Sequence, residues 1–292
     1  MNYFSEDNNI IIKECDSFSV RQTLDCGQCF RFFETGDGEY AVAAFGRVLE
    51  IKEGEDGIIF FNTSKVEFEN IWMDYFDLKR DYSEIKHAVS KSDPVMSDAV
   101  SFAPGIRILN QDIFECIISF IISQNNRIPM IKKVIENISA RYGEYITTVC
   151  GRDIYSFPSA EALSHVPVAE LMECKTGFRA KYIADAVSRI KSGELEIGAL
   201  KDMETGKARE MLMSVKGIGP KVADCILLFS CGKNEVFPTD VWVRRVMTHF
   251  YFQNEAVPLT DIHALAKNNF GPLAGFAQQY LFYYARELKI GA

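Results

Sequence analysis

No stretch of this sequence is long and apolar enough to span a bilayer, which takes about 20 predominantly apolar residues. The greasiest run, IFECIISFII (113–122), is interrupted by Glu115 and Ser119 and reads as a buried helix. The opening residues MNYFSEDNNI lack the basic-then-apolar order of a secretory signal, so an intracellular, cytoplasmic protein is expected. Histidine is scarce: His87, His165, His249 and His263 show no i,i+4 pairing, and no side-chain metal site stands out. Of the cysteines, Cys15, Cys26, Cys29, Cys116, Cys150, Cys174, Cys225 and Cys231, only Cys26 and Cys29 form a C-x-x-C, and no second pair completes a zinc tetrad. Several of the others sit inside apolar runs, where a free thiol behaves as a small hydrophobe. There is no excess of positive charge either, since the formal net charge is −8. That alone speaks against nucleic acid, but the acidity is uneven. Residues 1–100 carry 10 Lys/Arg against 20 Asp/Glu, a balance of −10, and the rest carry 22 against 20, or +2. A binding surface needs only a local positive patch, which the overall sign does not exclude.

What is present is enough material for two or three compact units in 292 residues, 48% of them hydrophobic. Between 9 and 62 the pattern alternates as strands do, in IIIKE, CFRFF, YAVAAFGRVLEIK and GIIFFN, with Gly36-Asp37-Gly38 as a turn. Helical periodicity takes over near Val66. The fold class expected is α+β. An N-terminal antiparallel sheet domain with flanking helices (1–102) precedes an all-helical body (103–292).

Two helix starts in the body draw the chemistry. In LMSVKGIGPKVADCILLF (212–229), Gly217 and Gly219 permit a tight reversal. Pro220 suits the first position of a new helix. The segment from about 207 to 231 is therefore a helix-hairpin-helix, whose outward amides favour an anion such as phosphate. Lys221 falls in the first helical turn, where the macrodipole and partial burial both disfavour a charged amine. A lysine so placed is a usable nucleophile. The bland reading is a solvent-facing lysine in a good helix-forming context. In FPTDVWVRRVM, Thr239 or Asp240 caps a second helix (239–250), and the positive helix end should keep the Asp240 carboxylate ionised. Converging, these two helix mouths would present an amine and a carboxylate to one ligand.

The run GIGPKVADCILLF…VFPTDVWVRRV resembles the helix-hairpin-helix Gly/Pro-Asp superfamily of DNA base-excision glycosylases, in which a lysine at the hairpin position marks the bifunctional members. The segments DCGQCFRF (25–32), SQNNRI (123–128), GFRAKYI (177–183) and GFAQQYLF (275–282) resemble, in order, the recognition segments of the 8-oxoguanine DNA glycosylases. The likeness spans roughly residues 10–285. It implies a monomeric enzyme that flips 8-oxoguanine out of double-stranded DNA, with no membrane partner. Lys221 would attack C1′ and Asp240 would stabilise cationic character on the ribose. Gly27 would offer its carbonyl to the lesion's N7–H, where guanine has only a lone pair. Gln278 would meet the Watson–Crick edge, with Phe282 and Cys225 on the two faces of the base.

On the DNA side, the resemblance gives Asn125 the gap left in the duplex, Phe178 the wedge that is usually tyrosine, and Arg179 the orphaned cytosine. Gly217, Gly219 and Trp242 would lie against the DNA. The carbonyls of Met213, Val215 and Ile218 would hold a structural cation, monovalent or divalent. No cofactor is required. The superfamily's iron–sulfur members end in four closely spaced cysteines, whereas the last here is Cys231, so no cluster is expected. The clearest departure is Met130, which stands where the branch has a second arginine on the opposite cytosine; Arg127 comes three residues earlier. Two alternatives stay open on sequence: a superfamily glycosylase for another damaged base, and a non-catalytic DNA-binding protein that uses the hairpin only to grip phosphate.

Overall fold

The structure is a computed structural model that describes residues 2–13, 16–55, 57–91 and 93–290; Cys15 lies outside them. Six antiparallel strands, β1 (Asn2–Glu6), β2 (Asn9–Lys13), β3 (Phe32–Gly36), β4 (Glu39–Ala44), β5 (Arg47–Gly54) and β6 (Gly57–Phe60), form one sheet in the order β1-β2-β6-β5-β4-β3. Alternation sets its inner face. Ile10, Ile12, Leu49, Ile51, Ile58 and Phe60 are buried there against Leu24, Trp72 and Phe76. Strand β1 carries no such signal, being mostly exposed, and is held by backbone pairing with β2 from Asn2↔Lys13 to Glu6↔Asn9.

The body that follows is helical. Its central helix, Ile113–Ser123, is buried continuously from Cys116 to Ile122, and Asp112 caps it through the Glu115 N–H at 2.8 Å. Against it lies the helix Pro220–Cys231, buried continuously from Val222, with Phe120 and Phe229 stacked at 5.6 Å between ring centres. The last helix, Ala274–Leu288, packs on Val241–Tyr251 and on Pro94–Phe102. One element of the body was not expected. Strands β7 (Tyr145–Val149) and β8 (Arg152–Tyr155) make a hairpin whose Val149 and Ile154 pack on Ala41 and Ala43, on the outer face of β4.

The two cores meet along the extended segment at 106–109, as they do at the turn where Cys26 and Phe30 join one and Cys29 and Phe32 the other. Ile106 and Ile108 enter the helical core and Leu109 enters the sheet core. Between them Arg107 is 2% exposed and donates to the carbonyls of Ser17, Phe76, Asp77 and Arg80. A boundary at 102/103 thus falls just before the extended segment that joins the units. This junction brings the turn at 25–31 over the helical body. No helix among the described residues is long and apolar enough to cross a membrane.

Candidate active site

The helix Thr205–Met213 ends at Ser214, and the chain reverses through 215–219 into Pro220, the first residue of the next helix. Only one of the two glycines needs its freedom. Gly217 has φ +85°, and a Cβ there would run into the Tyr182 ring. Gly219, at φ −93° and ψ 178°, is extended backbone open to any residue, and serves as the N-cap. Val215 and Ile218 are buried and anchor the reversal, while Asp185 Oδ2 accepts the Lys216 N–H at 2.9 Å and ties it to the helix Ala180–Ser192. Lys221 is thereby fixed in the first turn, its Nζ 5.5 Å from the centre of the Phe120 ring.

Asp240 is the N-cap of Val241–Tyr251, and its Oδ1 accepts the Trp242 and Val243 N–H groups, both at 2.9 Å. The helix mouth does not alone set its charge. Burial lifts its pKa above the ordinary carboxylate value, and the opposing pull of the Val243 N–H, the Lys221 charge and the Trp242 N–H does not cancel that rise. Thr239, one residue earlier, donates from Oγ1 to the Phe237 carbonyl at 3.0 Å and lies 3.1 Å from His263 Nε2.

Tertiary packing brings both helix mouths to one cavity of about 250 Å³. Lys221, Asp240, Gly27, Cys225, Gln278, Phe282 and Trp242 all line it, drawn from segments up to 255 positions apart. Gly27 sits at φ +77° with its α-carbon facing Phe282. A Cβ on it would lie 3.0 Å from that ring, so a side chain would be strained and would close the slot. Gln278 is 4% exposed, and its Oε1 is buried without a hydrogen-bond partner. Unpaired buried oxygens are rare, and this one belongs to a residue that lines the cavity, where a ligand donor could satisfy it. Burial pushes the Cys225 thiol up to about 11 against the lowering effect of Lys221, which keeps it a neutral contact surface. The C-x-x-C thiols behave alike: burial raises Cys26 to about 12 and Cys29 further still, the reverse of an activated redox pair.

A second group of expected residues lies together outside that cavity. Asn125 is exposed and left-handed at φ +47°, Phe178 is 54% exposed beside Tyr182, and Met130 is 43% exposed in the first turn of Ile128–Tyr142. Arg179 does not project with them. The residue is 8% exposed, and its guanidinium donates to the carbonyls of Gln124 (2.9 Å from Nε), Asn125 (2.9 Å) and Thr176 (3.4 Å). A planar fork surrounded by three carbonyls is drawn inward, and it braces the Asn125 turn. Arg127 is exposed at the N-cap of the next helix.

The cavity also holds residues that sequence reasoning passed over: Asn126, Gln279, Phe30 and Arg286. Asn126 and Gln279 each adjoin a residue singled out on sequence, Asn125 and Gln278. The left-handed turn at Asn125 and the 100° step of the helix decide which neighbour faces inward.

Comparison with known proteins places this geometry. A family model described as 8-oxoguanine DNA glycosylase, N-terminal domain, matches residues 10–117. One described as HhH-GPD superfamily base excision DNA repair protein matches residues 118–269. The N-glycosylase/DNA lyase OGG1 of Arabidopsis thaliana is 30% identical over 275 residues, which cover 89% of this chain and 75% of that one. Two solved structures match at a TM-score of 0.94, each over 99% of both chains. They are MBOgg1 in complex with a low affinity DNA ligand, 46% identical, and the Clostridium acetobutylicum 8-oxoguanine glycosylase/lyase with double-stranded DNA containing cytosine opposite 8-oxoG, 43% identical.

Proposed function

The chain belongs to the 8-oxoguanine DNA glycosylases of the helix-hairpin-helix Gly/Pro-Asp base-excision repair superfamily, and from that premise we propose how its residues divide the reaction. The protein is a bifunctional DNA glycosylase and lyase that excises 8-oxoguanine from duplex DNA. It acts as a monomer. The flipped nucleotide enters the 250 Å³ cavity. The Lys221 amine attacks C1′, the N-glycosidic bond breaks, and the base leaves with the bonding electrons and takes up a proton. Asp240, as carboxylate, stabilises positive charge developing on the ribose, the electrostatic counterpart of an oxyanion hole with its sign reversed. Opening of the sugar ring gives a Schiff base on Lys221. Loss of a C2′ proton then expels the 3′ phosphate, which nicks the strand 3′ to the lesion.

Recognition follows from the cavity wall. The Gly27 carbonyl accepts the lesion's N7–H and repels the lone pair that guanine carries there. The unpaired Gln278 Oε1 takes a donor of the Watson–Crick edge. Phe282 and Cys225 hold the two faces of the base. Asn125 fills the gap in the duplex and Phe178 wedges it open, with the hairpin amides at Gly217 and Gly219 and the Trp242 edge against the backbone.

Arg179 keeps one Nη1 hydrogen uncommitted for the opposite cytosine, because its other donors hold carbonyls, and Met130 supplies none. Opposite-base selectivity is accordingly relaxed. The hairpin fits a structural cation. Val215 O accepts the Ile218 N–H at 3.1 Å and retains a lone pair, and the Met213 and Ile218 carbonyls accept no hydrogen bond from the described residues. These carbonyls would hold such an ion, whose positive charge would favour a DNA phosphate nearby, and it would take no part in bond breaking.

The shared cavity of Lys221 and Asp240 carries this reading over a merely phosphate-gripping protein. Lys221→Gln is expected to abolish excision and nicking while lesion binding persists. Borohydride trapping of the variant on lesion DNA at the parental yield would place the nucleophile elsewhere.

A further inference from the structure

The turn that carries Gly27 holds three consecutive carbonyls, of which the outer two each accept a glutamine side chain and the middle one does not. Cys26 O accepts Gln279 Nε2–H at 2.6 Å, and Gln28 O accepts Gln111 Nε2–H at 2.7 Å. Gly27 O, between them, receives a hydrogen bond from none of the described residues, and Gly27 lines the cavity. The turn is fixed from below as well. The Gln28 side chain, fully buried, donates to Thr23 O and Arg107 O and accepts the Leu109 N–H, each at 2.8 Å.

Resting on the reading of Gly27 given above, we infer that Gln279 is a positioning residue that determines lesion specificity by locking the peptide whose carbonyl faces the base. Glycine at φ +77° has little intrinsic preference between peptide orientations, so the sign of the group it shows must be set from outside. If the Gly27–Gln28 peptide turned over, the Gln28 N–H would face the cavity. That donor matches guanine's N7 lone pair and opposes the lesion's N7–H, and discrimination would invert. Gln279 pins the preceding peptide and Gln111 the following one, so the middle peptide cannot turn without breaking a buried hydrogen bond. At 2% exposure, Gln279 has little access to water that could replace its partner.

The test uses Gln279→Met, which keeps the unbranched length and removes the donor, with Gln111→Met as an independent variant at the other anchor. Single-turnover excision and the preference for 8-oxoguanine over guanine in binding are measured beside β-elimination at a preformed abasic site, which has no base to recognise. The preference is expected to fall on the order of tenfold in either variant, the scale of one lost hydrogen bond, while abasic cleavage stays within about twofold. An unchanged preference in both variants overturns the inference. So does an equal loss on the abasic duplex, which would assign the glutamines to packing alone. The parent protein tests the underlying reading separately. If it takes 7-deazaguanine no better than guanine, the Gly27 carbonyl is not the N7 reader, whatever the glutamine variants do.

Discussion

Gln278 offers a perturbation whose two effects have opposite signs. Its Oε1 is buried in the free protein with no partner, a state that costs about 1–3 kcal/mol. Gln278→Met keeps the length of the side chain and removes that oxygen. The free protein should therefore gain about 1 kcal/mol, a rise in Tm of roughly 2–4 °C for a chain of this size class. Lesion binding should move the other way. A donor of the base edge would enter the cavity without its acceptor, at about 1–3 kcal/mol, so affinity should fall roughly 5- to 150-fold. Thermal unfolding without DNA and titration of an 8-oxoguanine duplex in the Lys221→Gln background measure the two separately. A methionine variant that melts below the parent would mean that the oxygen is satisfied in the free protein. Unaltered affinity for the lesion would mean that Gln278 does not touch the base.

Asp240→Asn should slow excision by orders of magnitude with little loss of affinity, as expected for an interaction made mainly in the transition state. Burial raises the Asp240 pKa, and the carboxylate is the working form, so excision should fall with decreasing pH at values above the ordinary carboxylate range. A pH profile lacking that acid limb in the parent would refute the assignment. With Met130 and a largely committed Arg179, 8-oxoguanine opposite adenine should be cut appreciably, and Met130→Arg should sharpen the preference for cytosine by about 1–3 kcal/mol. Single-turnover rates with each of the four opposing bases decide this, and strict cytosine dependence in the parent would sink it. Burial pushes Asp185 up, but the Lys216 N–H and Arg189 outweigh it and leave its pKa below the ordinary value. Its contribution is therefore present at neutral pH and lost as pH falls through the lowered pKa. Asp185→Asn should cost about 1–2 kcal/mol in urea unfolding at pH 7, and the gap should close in strong acid. A gap that persists there would assign the effect to shape instead of charge.

The two helix mouths that carry the candidate site were legible because local rules govern them. Pro220 occupies the first helical position and puts Lys221 in the first turn. Asp240 caps its helix through two backbone amides. The sheet was legible where one face is buried, since burial enforces alternation in β2, β5 and β6. Strand β1 was not, because an edge strand held by backbone pairing needs no apolar pattern. The β7–β8 hairpin escaped for a related reason: Val149 and Ile154 are buried only because Ala41 and Ala43 lie opposite them, more than 100 positions away.

The same division runs through the site. Sequence singled out Gly27, Lys221, Asp240 and Gln278 one by one, but their meeting in one cavity depends on the junction at Ile106–Leu109 that seats the sheet on the helices. Sequence marked Arg179 for the orphaned cytosine, and only the fold shows three nearby carbonyls turning its guanidinium inward. Sequence saw two adjacent glutamines in GFAQQYLF. Tertiary packing alone left the Gln278 oxygen buried and unpaired and set Gln279 on the Cys26 carbonyl, because a buried polar atom takes whatever partner the surrounding chain brings within reach.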